Sequence, residues 1–221
     1  MIITLDGPAG AGKSSAARAL AARLGWCYMD TGAMYRAITL VALERGIPLE
    51  DAVRMAALAE AIRIEFRAGR VLVDDRDVSA EIRTERITAA TRPVADAPPV
   101  REAMKRIQRR MAEGRDIVTE GRDQGSVVFP HAEVKVFVTA SPEERARRRH
   151  REEVARGSGL TLADVLASQA ARDDGDRSRT VGAMRPADDA VILETDGLAL
   201  EEVVDRLVAM IEARRSPRRP S

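Results

Sequence analysis

The most constraining feature of the chain is the segment GPAGAGKSS at residues 7–15, which has the spacing of a phosphate-binding loop. A short apolar, β-branched run at residues 2–5 precedes it and predicts a buried parallel strand. Residues 14–24 follow with strong helix formers, and Gly25 is placed to end that helix. Strand, glycine loop and helix in this order predict binding of a nucleoside triphosphate.

The residue types in this loop fit phosphate chemistry. Its glycines allow a tight turn in which backbone N–H groups point at phosphate oxygens, and the following helix N-terminus also favours an anion. Lys13 is one of three lysines among 36 basic residues, so a compact charge stands where the chain otherwise uses arginine. Lys13 can reach the β- and γ-phosphates, and the Ser14 hydroxyl can ligate the Mg²⁺ that ATP carries. We predict that the ATP-binding residues are Gly7, Pro8, Ala9, Gly10, Ala11, Gly12, Lys13, Ser14 and Ser15.

Composition excludes several other classes. The net charge is +1 and aromatic residues make up 3%, which argues against a nucleic-acid partner or a base-stacking platform. There is no signal-peptide pattern and no long apolar run, so we expect no membrane partner. With Cys27 as the only cysteine, no internal disulfide can form, and we expect a cytoplasmic protein.

The order of elements predicts an α/β fold. Five short apolar strands, alternating with helices, indicate a five-stranded parallel sheet with helices on both faces. They lie at residues 2–5, 26–29, 116–120, 134–138 and 191–193. A hairpin at residues 62–75, with a further short strand near 77–79, indicates an inserted subdomain with a small antiparallel sheet.

The second half of the chain is rich in charge. Ser141 and Glu144 predict a capping box at a helix that carries arginines 145 to 151, which could form a solvated face or a positive lid over phosphates. Residues 172–179 are a dense charge run that we expect to lead into a loop. Pro93, Pro98 and Pro99 mark the join between two earlier helices.

Two polar segments follow strands and are therefore candidate ligand contacts. Asp30, Thr31 and Arg36 come after the second strand, although an arginine on a helix is more often simply exposed. The segment GRDQG at residues 121–125 follows the third main strand. Its Arg122 and Asp123 could satisfy each other as an ion pair, but their position favours a ligand that needs one donor and one acceptor.

These features favour a phosphotransferase over other P-loop proteins. A GTPase would need an Asn-Lys-x-Asp motif to bind guanine, and the chain contains no asparagine. No signature of a transporter-type ATPase is present. A nucleotide-binding module without turnover, or a structural protein with a vestigial loop, would not need the second set of arginines.

On these motifs the chain resembles the bacterial cytidylate kinases of the nucleoside monophosphate kinase fold. The resemblance spans about residues 2–211. It rests on GPAGAGKSS at 7–15, DTGAMYR at 30–36, DVSAEIRT at 77–84, VREAMKRIQR at 100–109, EGRDQGSVVFP at 120–130 and RDDGDRSR at 172–179. Arg92 stands where the family usually has a serine, and Glu120 where aspartate is frequent.

The resemblance implies transfer of the ATP γ-phosphoryl group to CMP or dCMP with Mg²⁺. It implies CMP contacts by Thr31, Arg36, Arg101, Arg122, Asp123, Arg172, Asp176 and Arg179, and catalytic roles for Lys13, Arg122, Arg172 and Arg179. It also implies one kinase domain at 1–214, with a core of 1–30, 114–156 and 180–214, an NMP-binding insertion at 31–113 and a lid at 157–179. We expect a monomer, with a disordered basic tail at 215–221. Another nucleoside monophosphate, UMP or AMP, is the alternative acceptor.

Overall fold

The structure, a computed structural model, describes residues 1–155 and 157–215. The chain divides into two compact units: unit 2 is Met29–Gly114, and unit 1 is formed by the residues before and after it. The strands are β1 Ile2–Asp6, β2 Cys27–Asp30, β3 Ile64–Arg67, β4 Arg70–Val73, β5 Arg76–Asp77, β6 Ile117–Glu120, β7 Val134–Thr139 and β8 Val191–Glu194. The helices are α1 Lys13–Leu24, α2 Thr31–Glu44, α3 Ala52–Ala61, α4 Glu85–Asp96, α5 Pro98–Ala112, α6 Pro142–Ala155, α7 Leu162–Ser178 and α8 Leu200–Arg215.

The main sheet has five strands in the order β2-β6-β1-β7-β8, which confirms the predicted fold class. β1 is central and pairs in parallel with β6 on one side and β7 on the other, while β7 pairs in parallel with β8. The chain passes to one side of β1 first and to the other side later. The loop after β1 therefore lies at the topological switch point, where open α/β sheets bind ligands.

The core of unit 1 explains why these segments form strands and helices. Ile3 and Leu5 of β1 are fully buried, as strands covered on both faces require. Leu20 of α1 and Leu207 of α8 belong to the same buried cluster. The apolar stripe of each helix is therefore what holds it against the sheet.

Unit 2 contains the small antiparallel sheet, in the order β3-β4-β5. Its helices show one departure from the sequence prediction, because Pro93 lies inside α4 and does not separate two helices. The helix ends instead at Asp96, and the next residue, Ala97, is extended with φ −71° and ψ 116°. Ala97 precedes Pro98, whose ring disfavours helical backbone in the residue before it.

The structure modifies two predictions for unit 1. The charge run at residues 172–179 leads into a loop from Arg179, as expected, but the run itself is helical through Ser178, since α7 buries Asp173 and Asp176 on its inner side. Ser141 accepts the Glu144 N–H at 3.3 Å, but its own N–H donates to Asp196, so the capping box is only half formed. The Glu144 carboxylate instead pairs with Arg148 at 2.9 Å.

The last helix includes Arg215, the first residue of the predicted tail, and the remaining tail residues, 216–221, lie outside the described residues. Among the described residues, none of the helices combines the length and the apolar character needed to cross a bilayer.

We expect substitution of Gly7 to have the largest effect on folding. Its φ is +136°, and a Cβ added there would lie 2.0 Å from the backbone oxygen of Val138 on β7. Gly7→Ala should therefore lower the free energy of unfolding by more than about 3 kcal/mol, because β1 or β7 must move. Urea denaturation measures the change.

Gly25→Ala is the matched control. Gly25 also has positive φ, +68°, but nothing lies within 4 Å of its added Cβ. It should cost only about 1 kcal/mol, the strain of a left-handed residue. Equal losses in the two variants would show that the contact with β7 does not constrain the loop.

Candidate active site

The predicted ATP-binding residues form one turn between β1 and α1. Gly10 and Gly12 have φ of +79° and +86°, values that glycine adopts without strain. Gly12 is the N-cap of α1, and within residues 1–155 and 157–215 no side chain caps the N–H groups of that helix. The helix therefore begins with backbone donors, the arrangement that binds phosphate. Ser15 lies exposed in the first turn.

Lys13 is buried at the base of this turn. Its Nζ donates to the carbonyl of Pro8 at 2.6 Å, within the loop itself. Burial lowers the pKa of the Lys13 ammonium to about 7, and the charge of Arg122 acts in the same direction. The carboxylates of Glu120 and Asp6 oppose that shift. Lys13 thus occupies a desolvated position where an added anion is favourable.

Glu120 is a site residue to which the sequence reasoning gave no role. It is buried at the end of β6, and its Oε1 accepts from the Ser14 hydroxyl at 2.7 Å and from the Tyr28 hydroxyl at 3.4 Å. A carboxylate and a hydroxyl side by side form an oxygen pair suited to a hard cation. The signal of Glu120 in the sequence is that it stands, at the end of a predicted strand, where the family frequently has aspartate.

Asp176 brings two predicted arginines together. Its Oδ2 accepts from Arg122 Nε and its Oδ1 lies near Arg179 Nη2, each at 2.7 Å. Burial alone would lower the pKa of the Arg122 guanidinium, but the carboxylates of Asp176, Glu120 and Asp173 together raise it. Burial alone would raise the pKa of Asp176, and the charges of Arg122, Arg179 and Arg172 together lower it. The pairing therefore favours the charged forms of both Arg122 and Asp176.

Arg145 shows that the arginines of α6 do not all serve one purpose. It is buried and donates to Asp173 at 2.6 Å, to the carbonyl of Ala9 at 3.1 Å and to the carbonyl of Ala140 at 3.1 Å. All these partners are protein groups. We therefore assign Arg145 a structural role, which is to hold the phosphate-binding loop and α7 in place. Arg148 likewise donates to Thr195, whose hydroxyl donates to the carbonyl of Ala11.

Unit 2 holds the predicted contacts Thr31, Arg36 and Arg101. Asp30 caps α2 by accepting the Ala33 N–H at 2.7 Å, and its second oxygen lies 3.6 Å from Arg36 Nη2. Thr31 is buried at the first position of α2. Among the described residues, the buried Nε of Arg36 has no hydrogen-bond partner. A buried donor of this kind is expected where an anion binds, because the anion supplies the acceptor.

Arg101 lies on α5, and its side chain is largely fixed. Its Nη1 donates to the carbonyl of Ala95 at 3.0 Å, and its guanidinium lies 5.9 Å from the ring centre of Tyr35. Arg92, by contrast, is exposed and pairs with Asp96 at 3.5 Å. Thr91, one position earlier, donates its hydroxyl to the Ile87 carbonyl within the helix.

A phosphate loop at the switch point of a parallel sheet, with arginines paired through one carboxylate, defines a P-loop phosphotransferase. The family model described as Cytidylate kinase matches residues 3–213. The chain belongs to the cytidylate kinase family.

Individual relatives agree. The cytidylate kinase of Rhodopirellula baltica is 48% identical over 211 residues, covering 96% of this chain and 92% of the relative. The cytidylate kinase of Carboxydothermus hydrogenoformans is 44% identical over 215 residues, covering 96% and 97%. The crystal structure of an uncharacterized protein from Eubacterium ventriosum covers 96% of this chain and 99% of that chain, with a TM-score of 0.53 at 11% identity. That last likeness shows the fold alone.

We expect replacement of Lys13 to change the free energy of unfolding in a pH-dependent way. The folded-state pKa of about 7 lies below the ordinary value of 10.5, so the cost of a buried ammonium is full below pH 7 and disappears toward pH 10.5. Without nucleotide, Lys13→Met should raise the free energy of unfolding by at least about 1 kcal/mol at pH 6. The gain should shrink as the pH rises.

The control is Lys105→Met, a lysine that pairs with Glu102 on the surface of α5. It should change stability little at any pH. Thermal unfolding between pH 6 and 10 distinguishes the two variants, and a destabilised Lys13→Met at pH 6 would contradict the burial argument.

We expect removal of the Asp173 carboxylate to cause a large loss of stability. It is 1% exposed, and its removal leaves the buried Arg145 guanidinium without its carboxylate. Asp173→Ala should cost about 3 kcal/mol, measured by urea denaturation. Asp174→Ala is the control, because that carboxylate is exposed beside Arg177 and should cost less than about 0.5 kcal/mol. Similar losses would rule out a special role for the buried pair.

Proposed function

We propose that this protein transfers the γ-phosphoryl group of ATP to CMP or dCMP, giving ADP and CDP or dCDP. Family membership over residues 3–213 carries this proposal. The ion-pair cluster of Arg122, Asp176 and Arg179 beside the Lys13 loop supports it, because a protein that only bound ATP would not need a second phosphate clamp. Phosphoryl transfer needs positioning and positive charge more than covalent chemistry.

The loop residues would bind the ATP phosphates through backbone N–H groups and Lys13. At present the Lys13 Nζ bonds to Pro8, so γ-phosphate binding would exchange a backbone carbonyl for a charged acceptor. Arg122, Arg172 and Arg179 would spread positive charge over the transferring group. Asp176 would hold two of these arginines in place. The resemblance also implies a contact between Asp176 and the pentose.

Mg²⁺ fits the oxygen groups at the loop. Ser14 Oγ and Glu120 Oε1 lie 2.7 Å apart, and a magnesium ion that enters with ATP needs only one or two protein oxygens. When bound, Mg²⁺ would neutralise developing charge on the β- and γ-phosphates. Ser14 would be the direct ligand, and Glu120 would orient it or its bound water.

Selectivity for cytosine would come from an acceptor and a donor. Cytosine presents an N4 amino group where uracil presents an O4 acceptor, so the Asp123 carboxylate favours CMP. The guanidinium of Arg101 would donate to the ring acceptors. An incorrect base would leave one of these buried groups unpaired, which is how polar sites reject close analogues.

Within unit 2, Arg36 would bind the acceptor phosphate, and Thr31 would contact the acceptor nucleotide. The unpartnered Nε of Arg36 supports its part in this. Residues 157–179 would act as a lid that excludes water, which otherwise hydrolyses ATP. A monomer in the cytoplasm remains our expectation.

The test is ADP release with ATP–Mg²⁺ and a panel of CMP, dCMP, UMP and AMP. CMP and dCMP should exceed UMP and AMP in kcat/KM by at least roughly a hundredfold, given one donor–acceptor mismatch in a buried site. Equal rates across the panel would overturn the cytosine assignment. ATP binding without any monophosphate-dependent ADP release would favour the non-catalytic module.

A further inference from the structure

Asp6 is a buried carboxylate at the end of β1 for which neither the loop nor the substrates account. Its Oδ1 accepts the Gln124 N–H at 2.8 Å, and its Oδ2 accepts the Gly125 N–H at 2.7 Å. Both bonds are buried, and Asp6 itself is 4% exposed. The carboxylate therefore uses one oxygen for each of two consecutive backbone donors.

Those donors belong to the turn that carries Arg122 and Asp123. The N–H groups of Val127 and Val128 bond to the backbone oxygen of Asp123 at 2.9 and 3.2 Å. Asp123 thus begins the helical turn that Gln124 and Gly125 continue. A displacement at residues 124–125 would be transmitted directly to Asp123 and its neighbour.

Two further contacts fix the same turn. Thr119 donates its hydroxyl to Gln124 Oε1 at 2.9 Å inside the protein. A Cβ added to Gly125 would lie 2.7 Å from the Thr4 hydroxyl and 3.2 Å from Lys135 Cγ, so the backbone of the turn lies directly against β1. Without this close approach the two N–H groups could not reach Asp6.

We propose that Asp6 is a positioning residue that fixes the turn carrying Arg122 and Asp123, and thereby sets the affinity and base selectivity for the acceptor nucleotide. The inference rests on the proposed function for the identity of that nucleotide. A carboxylate is required at this position because both of its oxygens must accept.

The effect of changing Asp6 should be confined to the acceptor nucleotide. The phosphate loop has its own supports, since Ala9 accepts from Arg145 and Ala11 accepts from Thr195. Gly7 is fixed by its contact with Val138. The position of the loop should therefore not depend on Asp6, whose carboxylate acts on Lys13 only through its charge, so the constants for ATP should change less than those for CMP.

Asp6→Asn is the most direct variant. The amide keeps the shape but offers one acceptor and one donor, so an N–H group of the turn would face another donor. We expect KM for CMP to rise roughly tenfold, the CMP-to-UMP ratio of kcat/KM to fall, and KM for ATP to change less than about twofold. Calorimetric titration with CMP alone should show the same loss of affinity.

Gly125→Ala tests the same turn with the carboxylate intact. Its methyl group would overlap the Thr4 hydroxyl and should raise KM for CMP in the same selective way. Adding Thr4→Ala removes the overlapping atom and should restore most of the CMP affinity. This rescue separates a shift of the turn from general loss of folding.

Glu133→Gln is the matched control. Its carboxylate accepts the Ile2 N–H at 2.7 Å at the other end of β1, and it should leave all three constants unchanged. A folded Asp6→Asn with wild-type constants for CMP, or with KM for ATP and CMP rising together, would overturn the inference. A wild-type protein without CMP-dependent turnover would overturn the proposed function instead.

Discussion

Concentrated positive charge at the phosphate-binding loop is the constraint on which the rest of unit 1 depends. Lys13 is buried, and the charges of Arg122 and Arg172 add to burial in lowering its pKa to about 7. Such a cluster is unfavourable unless carboxylates lie among the cations, which is where Glu120, Asp6 and Asp176 are found. Phosphate groups of a bound nucleotide would complete the neutralisation. The repulsion among the cations, which is unfavourable for folding, would then be relieved on binding and would favour the substrate.

Residues that never reach a substrate hold this arrangement together. Arg145 ties the loop to α7 through Ala9 and Asp173, and Asp6 ties β1 to the turn after β6. Preorganised charge is effective because it does not reorient during the reaction. The buried supports are therefore as much a part of the site as the groups that would contact phosphate.

The sequence was sufficient for the sheet and the loop because those signals are local. A β-branched run followed by glycines and Lys13 indicates strand, turn and helix, and the five main strands were all found where predicted. The helix through Ser178 was missed because a charge run resembles a solvated loop, whereas Asp173 and Asp176 are buried by partners distant in sequence. The half-formed cap at Ser141 was missed for the same reason, since Asp196 lies 55 residues away.

The site was predictable as a set of residues more than as a set of pairings. The loop and the arginines follow from motif and resemblance, yet the pairing of Arg122 with Asp176 spans 54 residues and leaves no local pattern. Glu120 was visible only as a departure from the family, and its bond to Ser14 gives it a place at the loop.

The most direct test of paired donor and acceptor sites is binding of a bisubstrate compound that joins adenosine and cytidine through five phosphates. It should bind at least roughly a hundredfold more tightly than ATP, because one molecule would occupy both phosphate-binding regions without a second loss of translational freedom. Calorimetric titration gives both constants. Affinity no higher than that of ATP, or an equal affinity for the uridine analogue, would contradict the proposal that the protein binds ATP and a cytidine nucleotide together.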